Sequence, residues 1–246
     1  MRIPRLYQNC PLAVGANVEL DETAIRHGIQ VLRLKPDDML ILFNGDGHDY
    51  QARLTAISKK QATATIENIT ATDNESPLHT HLALGIAKGE RMDYALQKAV
   101  ELGINRLTPL VTERCVVQLD EKREQKRRQH WQGIIRGACE QSGRARLPQL
   151  DDVMRYADFL ELTLTGQRMI LDPRSQQTLS QCARPQQLIL MIGPEGGFTE
   201  AEREQAYQHD AIGIRLGPRI LRTETAVVAG LTAAQTLWGD LDQSTS

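Results

Sequence analysis

Two stretches of this 246-residue chain concentrate residue types that can do chemistry. The first is Gly193-Pro194-Glu195-Gly196-Gly197, directly after the apolar run Leu188 to Ile192. Three glycines in five residues imply backbone conformations, or a ligand approach, that side chains would forbid. Glu195 puts a carboxylate at the centre of the loop, where it would repel a phosphate lying against that backbone, so a neutral or cationic ligand fits better. Neither the dinucleotide pattern G-x-G-x-x-G nor the P-loop pattern G-x-x-x-x-G-K-[ST] occurs. The second stretch runs from Leu216 to Thr225, LGPRILRTET, and carries Arg222 and Glu224 beside Gly217. A pair of merely tight connections explains the turns without a ligand, but leaves the Glu195 carboxylate unexplained.

Both loops sit where an α/β chain passes from a strand into a helix. Thr199 and Glu202 form a capping box after the first loop. Ala226 to Trp238 follows the second and is apolar on nearly every face, which predicts burial between layers or in a subunit contact. Upstream, Leu82 to Ala87 reads as a strand, Arg91 to Leu102 as a helix stopped by Gly103, and Arg106 to Val111 as a strand. That βαβ unit implies a parallel sheet, which Arg168 to Asp172, Leu188 to Ile192 and Ile212 to Leu216 extend. A charged helix is expected from Asp120 to about Ser142. Residues 1–72 form a separate β-rich unit: a helix from Asp21 to Val31 or Leu32, a strand Met39 to Phe43, the hairpin turn Asn44-Gly45-Asp46-Gly47, and alternating strands Tyr50 to Ile57 and Ala62 to Ile69. The polar run Ala71 to Pro77 is the natural linker to a second domain over 73–246.

The formal net charge of −2 excludes a globally basic nucleic-acid binder, so RNA affinity must come from local patches. Glu113 to Arg146 is the most basic segment, with nine Lys and Arg against five Asp and Glu. Within it Arg136, Arg144 and Arg146 stand out, because they lie near a helix end that leads back to the sheet. Arg2, Arg5 and Arg33 are candidate phosphate contacts in the first unit, and Lys88 and Arg91 in the second, although scattered cations are usually only solvated. Aromatics are few (4%), which argues against a broad base-stacking platform. Cys10, Cys115, Cys139 and Cys182 show no metal-ligand spacing and read as reduced thiols. MRIPRLYQNCPL has charges and prolines where a signal peptide needs an apolar core, and no run is long enough to span a membrane, so a cytoplasmic protein is expected.

The segments GPEGGFTEAE and LGPRILRTETA, with KGERMDYALQKAVELGINRLTPL and GACEQSGRARLPQL upstream, resemble the knotted SPOUT methyltransferases. More narrowly they resemble the ribosomal RNA small subunit methyltransferase E family, which methylates N3 of a uridine in 16S ribosomal RNA. The resemblance covers most of the chain. It implies an amino-terminal PUA-like β-barrel that holds RNA, a carboxy-terminal α/β domain with a deep trefoil knot within about 168–238, and a homodimer with sites at the subunit contact. Its partner would be ribosomal RNA or the small subunit, and no metal is called for.

The implied cofactor is S-adenosylmethionine, held by Leu171, by Gly193, Pro194, Glu195, Gly196 and Gly197, and by Leu216, Gly217, Ile220, Leu221 and Arg222. Glu195 either orients a ribose hydroxyl or favours the sulfonium, or it shapes the loop internally. Uracil must lose its N3 proton, and an arginine directed at a ring oxygen lowers the cost of that loss. Arg144 and Arg222 are the candidates. Glu224 is a possible base, although Thr223, Glu224 and Thr225 also suit an ordinary helix cap. No histidine or cysteine stands out. The rival from another class is a non-catalytic RNA-binding or ribosome-assembly factor that keeps the fold; a third reading is an enzyme that uses a different adenosine-containing ligand.

Overall fold

The computed structural model describes residues 3–58, 61–115 and 121–242, leaving aside the side chains of His27, Gln30, Glu121 and Lys122. Arg2 and Asp120 lie outside the described residues. The chain forms two compact units, one comprising Met1–Glu75 with Arg136–Leu147, the other Ser76–Ile135 with Pro148–Ser246. The segment 136–147, read from sequence as part of the second domain, therefore clusters with the first.

The first unit contains β1 (Arg5–Tyr7), β2 (Asn17–Glu19), α1 (Glu22–Ala24), β3 (Met39–Phe43), β4 (His48–Ile57) and β5 (Ala62–Ala71). These strands make one mixed sheet in the order β1-β3-β4-β5-β2. Alternation in β4 and β5 sends Tyr50, Ala52, Leu54, Ala62, Ala64 and Ile66 into the core with Leu6, Leu40 and Leu42. The turn between β3 and β4 falls where Asn44-Gly45-Asp46-Gly47 places it. The Asn44 side chain accepts from the Asp46 N–H at 3.2 Å, Asp46 accepts from the His48 N–H at 2.9 Å, and both glycines take positive φ. Asp21 caps α1 by accepting from the Ala24 N–H at 2.8 Å. The helix expected to run on to residue 31 or 32 is α-helical only over its first turn, and Ile25–Val31 is π-helical. At Gly28 a Cβ would come within 3.1 Å of Leu6, so the absent side chain lets this wider helix lie close over the core.

The second unit carries β6 (His79–Gly85), α2 (Glu90–Glu101), β7 (Arg106–Val111), α3 (Glu121–Ser142), β8 (Gln149–Leu150), β9 (Met154–Arg155), α4 (Tyr156–Glu161), β10 (Gln167–Leu171), β11 (Gln187–Ile192), α5 (Glu200–Gln208), β12 (Ile212–Ile214) and α6 (Thr223–Trp238). From Arg136 onward α3 belongs to the first unit. The sheet order is β12-β10-β11-β6-β7-β8, with β9 also on β7, and every pairing is parallel. β6 and β11 are buried along nearly their whole length, as parallel strands covered on both faces must be. Gly103, at φ 80°, follows the end of α2 as its sequence position predicts. β12 stops two residues before the expected Leu216, because the Arg215 N–H leaves the sheet to donate to the Gln177 carbonyl at 2.8 Å. The short β8, β9 and α4 carry no sequence signal strong enough to anticipate. On α6 one side packs against α2, whereas Leu237 is 45% exposed and Leu241, just beyond the helix, 52%.

Candidate active site

The strand order puts the carboxyl ends of β12, β10 and β11 side by side, and the loops leaving them surround one cavity of about 390 Å³. That is the size range of small-molecule sites. Its lining includes Leu171 to Arg174 after β10, Ile192 to Phe198 after β11, and Ile214, Leu216, Gly217, Arg219, Ile220 and Leu221 after β12. Thr223 and Ala226 come from the start of α6, and Arg114 from the loop after β7.

Crowding explains the glycines. A Cβ on Gly193 would meet the Gly197 backbone at 2.9 Å, one on Gly196 would touch the Arg114 side chain at 3.0 Å, and one on Gly85 would strike Pro194 at 2.5 Å. Gly197 differs: its φ of +65° disfavours a side chain, while the space where a Cβ would stand is open. The loop is thus tightly packed at Gly193 and Gly196 and open at Gly197.

Glu195 is tied within this unit. Its Oε1 accepts from the Lys88 N–H at 2.9 Å and lies 3.4 Å from Nη1 of Arg91. Burial raises its carboxyl pKa, but the N–H groups of Lys88 and of Glu195 itself, with Arg91, outweigh that and hold it below the usual carboxylate value. The internal role weighed for Glu195 is therefore present in the fold. Lys88 and Arg91 are exposed, and the Arg91 guanidinium is shared with that carboxylate.

Several lining groups were not singled out from sequence. Asp172 is buried, accepts from the Tyr207 hydroxyl at 2.7 Å and lies 3.4 Å from Arg203. Burial and this hydrogen bond push the Tyr207 phenol up to about 12. Arg203 also donates to the Phe198 carbonyl at 2.8 Å, and Arg114 donates to the Gly196 carbonyl at 2.8 Å. Asp172 had a usable signal, a charged residue at the carboxyl end of an apolar strand. Arg114 had none, since its strand ends three residues earlier at Val111.

The start of α6 departs from expectation. Arg222 is the N-cap residue, with no side-chain cap hydrogen bond, so Thr223, Glu224 and Thr225 do not cap the helix; they open its first turn. Glu224 stands there as the acidic first-turn residue, and its Oε2 is buried with no hydrogen-bond partner among the described residues. Arg222 is exposed and is not among the residues that line the cavity, although its neighbours Leu221 and Thr223 are.

The remaining candidates belong to the first unit. Arg144 is 4% exposed and makes a two-pronged ion pair with Glu75, at 3.0 and 2.5 Å. Arg5 is also buried, paired with Asp49, with its guanidinium over the Phe43 ring and a 3.3 Å bond to the Arg144 carbonyl. Arg144 is expected at a uracil oxygen and Arg5 at a phosphate; in the fold the charge of each is matched inside the unit, by Glu75 and by Asp49. Arg136 stacks its guanidinium 4.7 Å from the Tyr7 ring centre. Arg33 and Arg146 are exposed. Cys139 is buried, and burial pushes its thiol up to about 12, so it packs and does not react. Among the described residues no cluster suits a metal ion, and no helix is long and apolar enough to cross a membrane.

The unit with the all-parallel sheet and the unit with the small mixed sheet each match a known family. The RNA methyltransferase domain family matches residues 74–235, and the RNA methyltransferase PUA domain family matches residues 20–67. The chain is thus of the class of RNA methyltransferases that join these two domains. A Buchnera aphidicola (subsp. Schizaphis graminum) protein named ribosomal RNA small subunit methyltransferase E is 34% identical over 98% of both chains. Two solved structures are similar over 98% of this chain and 100% of theirs. One is a Legionella pneumophila protein in complex with the bound cofactor SAM, at 39% identity and TM-score 0.95. The other is a ribosomal RNA small subunit methyltransferase E from Neisseria gonorrhoeae bound to S-adenosyl methionine, at 41% identity and TM-score 0.91. The chain belongs to the ribosomal RNA small subunit methyltransferase E family.

Proposed function

We propose that this protein methylates N3 of a uridine in 16S ribosomal RNA, with S-adenosylmethionine held in the cavity at the ends of β10, β11 and β12. The observation that carries the reading is the convergence of three strand-end loops on that one cavity, in a family whose Neisseria member is solved with S-adenosyl methionine. The residues fit such a ligand. Gly197 leaves open space where a side chain would stand, carboxylates (Asp172, Glu195) and guanidinium groups (Arg114, Arg174, Arg203, Arg219) both line the wall, which suits a ligand that carries charge of both signs, and the buried Thr223 hydroxyl lacks a partner among the described residues.

When bound, S-adenosylmethionine supplies a methyl group activated on a sulfonium. Leu171, Gly193 to Gly197, Leu216, Gly217, Ile220 and Leu221 form the walls that hold and orient it, which converts a bimolecular encounter into a fixed geometry. Arg222, exposed at the head of α6, is our candidate for facing the uracil oxygen that gains negative charge when N3 loses its proton. Glu224, with one carboxylate oxygen unpaired among the described residues, is our candidate for accepting that proton. We assign Arg144 to the fold of the first unit, since its charge is neutralised by Glu75. RNA contacts are assigned to the exposed Arg33 and Arg146 and to Lys88, Arg91 and Arg136. The trefoil knot and the homodimer follow from the family resemblance, and the exposed Leu237 and Leu241 favour a covered surface at the end of α6. A cytoplasmic location follows from the substrate.

The test is transfer of labelled methyl from S-adenosylmethionine to small-subunit RNA, measured beside calorimetric binding of S-adenosylhomocysteine. Incorporation that Arg222→Ala reduces at least tenfold, with product binding little changed, supports the assignment; equal turnover removes Arg222 from it.

A further inference from the structure

The head of α6 leaves hydrogen-bonding capacity unspent against the cavity. Thr223, the first residue of this 16-residue helix, is only 4% exposed and lines the cavity, yet its hydroxyl has no partner among the described residues. The N-cap Arg222 makes no side-chain cap bond, so the first-turn N–H groups also lack the acceptor that a Ser, Thr or Asp cap would bring. A buried polar group without a partner costs about 1–3 kcal/mol, a cost that a bound ligand can remove.

The chemistry of the ligand portion follows from the neighbours. Leu171, Ile192, Ile214, Leu216, Leu221 and Ala226 line the same cavity, and Leu171 and Leu216 pack under α6 within 3.6 Å of where a Cβ on Gly230 would stand. Arg114, Arg174, Arg203 and Arg219 line the cavity as well and can pair the carboxylate tail of the donor, which leaves the apolar residues to a portion of the ligand without charge. The apolar walls suit a flat ring with apolar faces and a polar edge, and among the parts of S-adenosylmethionine only adenine has that character.

We propose that the Thr223 hydroxyl hydrogen-bonds to the edge of the adenine ring, making Thr223 a specificity-determining residue of the donor site. The assignment rests on the donor reading given above. Because the hydroxyl is unpaired without ligand, its removal weakens binding while sparing the empty protein.

The test uses the full-length Thr223→Val and Thr223→Ser proteins. Calorimetry is run with S-adenosylhomocysteine, with 5′-methylthioadenosine, which lacks the amino-acid tail, and with the 2′,3′-dideoxy form of the latter. Thr223→Val should bind all three about tenfold more weakly than wild type, and Thr223→Ser should bind them as wild type does. The unfolding midpoint of ligand-free Thr223→Val should equal or exceed that of wild type. A loss confined to S-adenosylhomocysteine would place the contact on the tail, and a loss absent from the dideoxy compound would place it on the ribose; either overturns the proposal. So would unchanged binding of all three, or a ligand-free variant that melts below wild type. Wild-type protein that binds none of the three would remove the donor reading itself, and this assignment with it.

Discussion

The carboxylate of Glu195 accepts a hydrogen bond from the Lys88 N–H at 2.9 Å, which fastens the glycine loop after β11 to the loop after β6. The acidic residue at the centre of the cavity wall thereby acts as a brace between two strand ends. Replacing Glu195 by Gln keeps an acceptor but removes the charge shared with Arg91, and replacing it by Ala removes both. With the side chain 27% exposed, the charged contact is screened, and the expected cost is about 1 kcal/mol, or roughly fivefold weaker donor binding in Glu195→Ala. Because the folded carboxyl is held below its usual value, this contribution is present above that value and is lost as pH falls through the lowered one. Binding of S-adenosylhomocysteine at pH 7 checks the size, and denaturant midpoints of wild type and Glu195→Ala followed from pH 7 to 3 check the sign, the difference between them shrinking toward the acid end.

Arg144 and Glu75 form a pair that is cheap to keep and expensive to break. Arg144→Ala should lower unfolding stability by on the order of 3 kcal/mol, because Glu75 loses its counter-charge in a part-buried position. The double variant Arg144→Ala, Glu75→Gln should recover part of that loss. Urea unfolding of the single and double variants tests the internal role; a single variant as stable as wild type but devoid of turnover would return Arg144 to the catalytic group.

Gly85 lies at the end of β6, and an added Cβ would sit 2.5 Å from the ring of Pro194. Neither partner can yield without moving the glycine loop, so Gly85→Ala should cost about 1–3 kcal/mol in stability and weaken donor binding tenfold or more. Gly133→Ala, in α3 with open space around it, is the control, and should be neutral or stabilising by up to about 1 kcal/mol. Thermal melts and calorimetry on the two variants compare them directly.

His81 is buried in β6, bonded through Nε2 to Thr108 Oγ1 at 2.7 Å, while Thr108 donates to Asp151 and Arg106 holds Asp151 at 2.8 Å. Burial, then Arg106, with a smaller push from His79, lowers its pKa to about 4 against the pull of Asp151. A neutral histidine is therefore favoured by the fold, and stability is lost as pH drops from about 6.5 toward 4, by at most about 3 kcal/mol. Denaturant midpoints measured across that window should fall more steeply for wild type than for His81→Gln.

Much of this arrangement was legible because it rests on local signals. The Thr199 and Glu202 box, Gly103 after α2 and the Asn44 to Gly47 turn each act within four residues, and each forms where its spacing predicts. The loops were legible as loops because glycine density marks close approach, as at Gly193 and Gly196. What stayed hidden depends on distant partners. No pattern near Arg144 or Arg5 announces Glu75 or Asp49, more than forty residues away in each case, so Arg144 reads as a candidate for the uracil oxygen and Arg5 as a phosphate contact. Arg114 and Arg203 reach the cavity through carbonyls of the glycine loop, a relation that only the folded chain creates. The π-helical stretch at Ile25–Val31, where Gly28 lies close to Leu6, is not something that helix periodicity encodes.

The most direct test is methylation of ribosomal RNA from a strain lacking this gene, offered as naked RNA and as assembled small subunits, with the modified nucleoside identified by mass spectrometry. N3-methyluridine at a single position of 16S RNA is expected, formed only when S-adenosylmethionine is supplied. A methyl group on another atom or base, or no incorporation into either form by protein that binds S-adenosylhomocysteine, would contradict it.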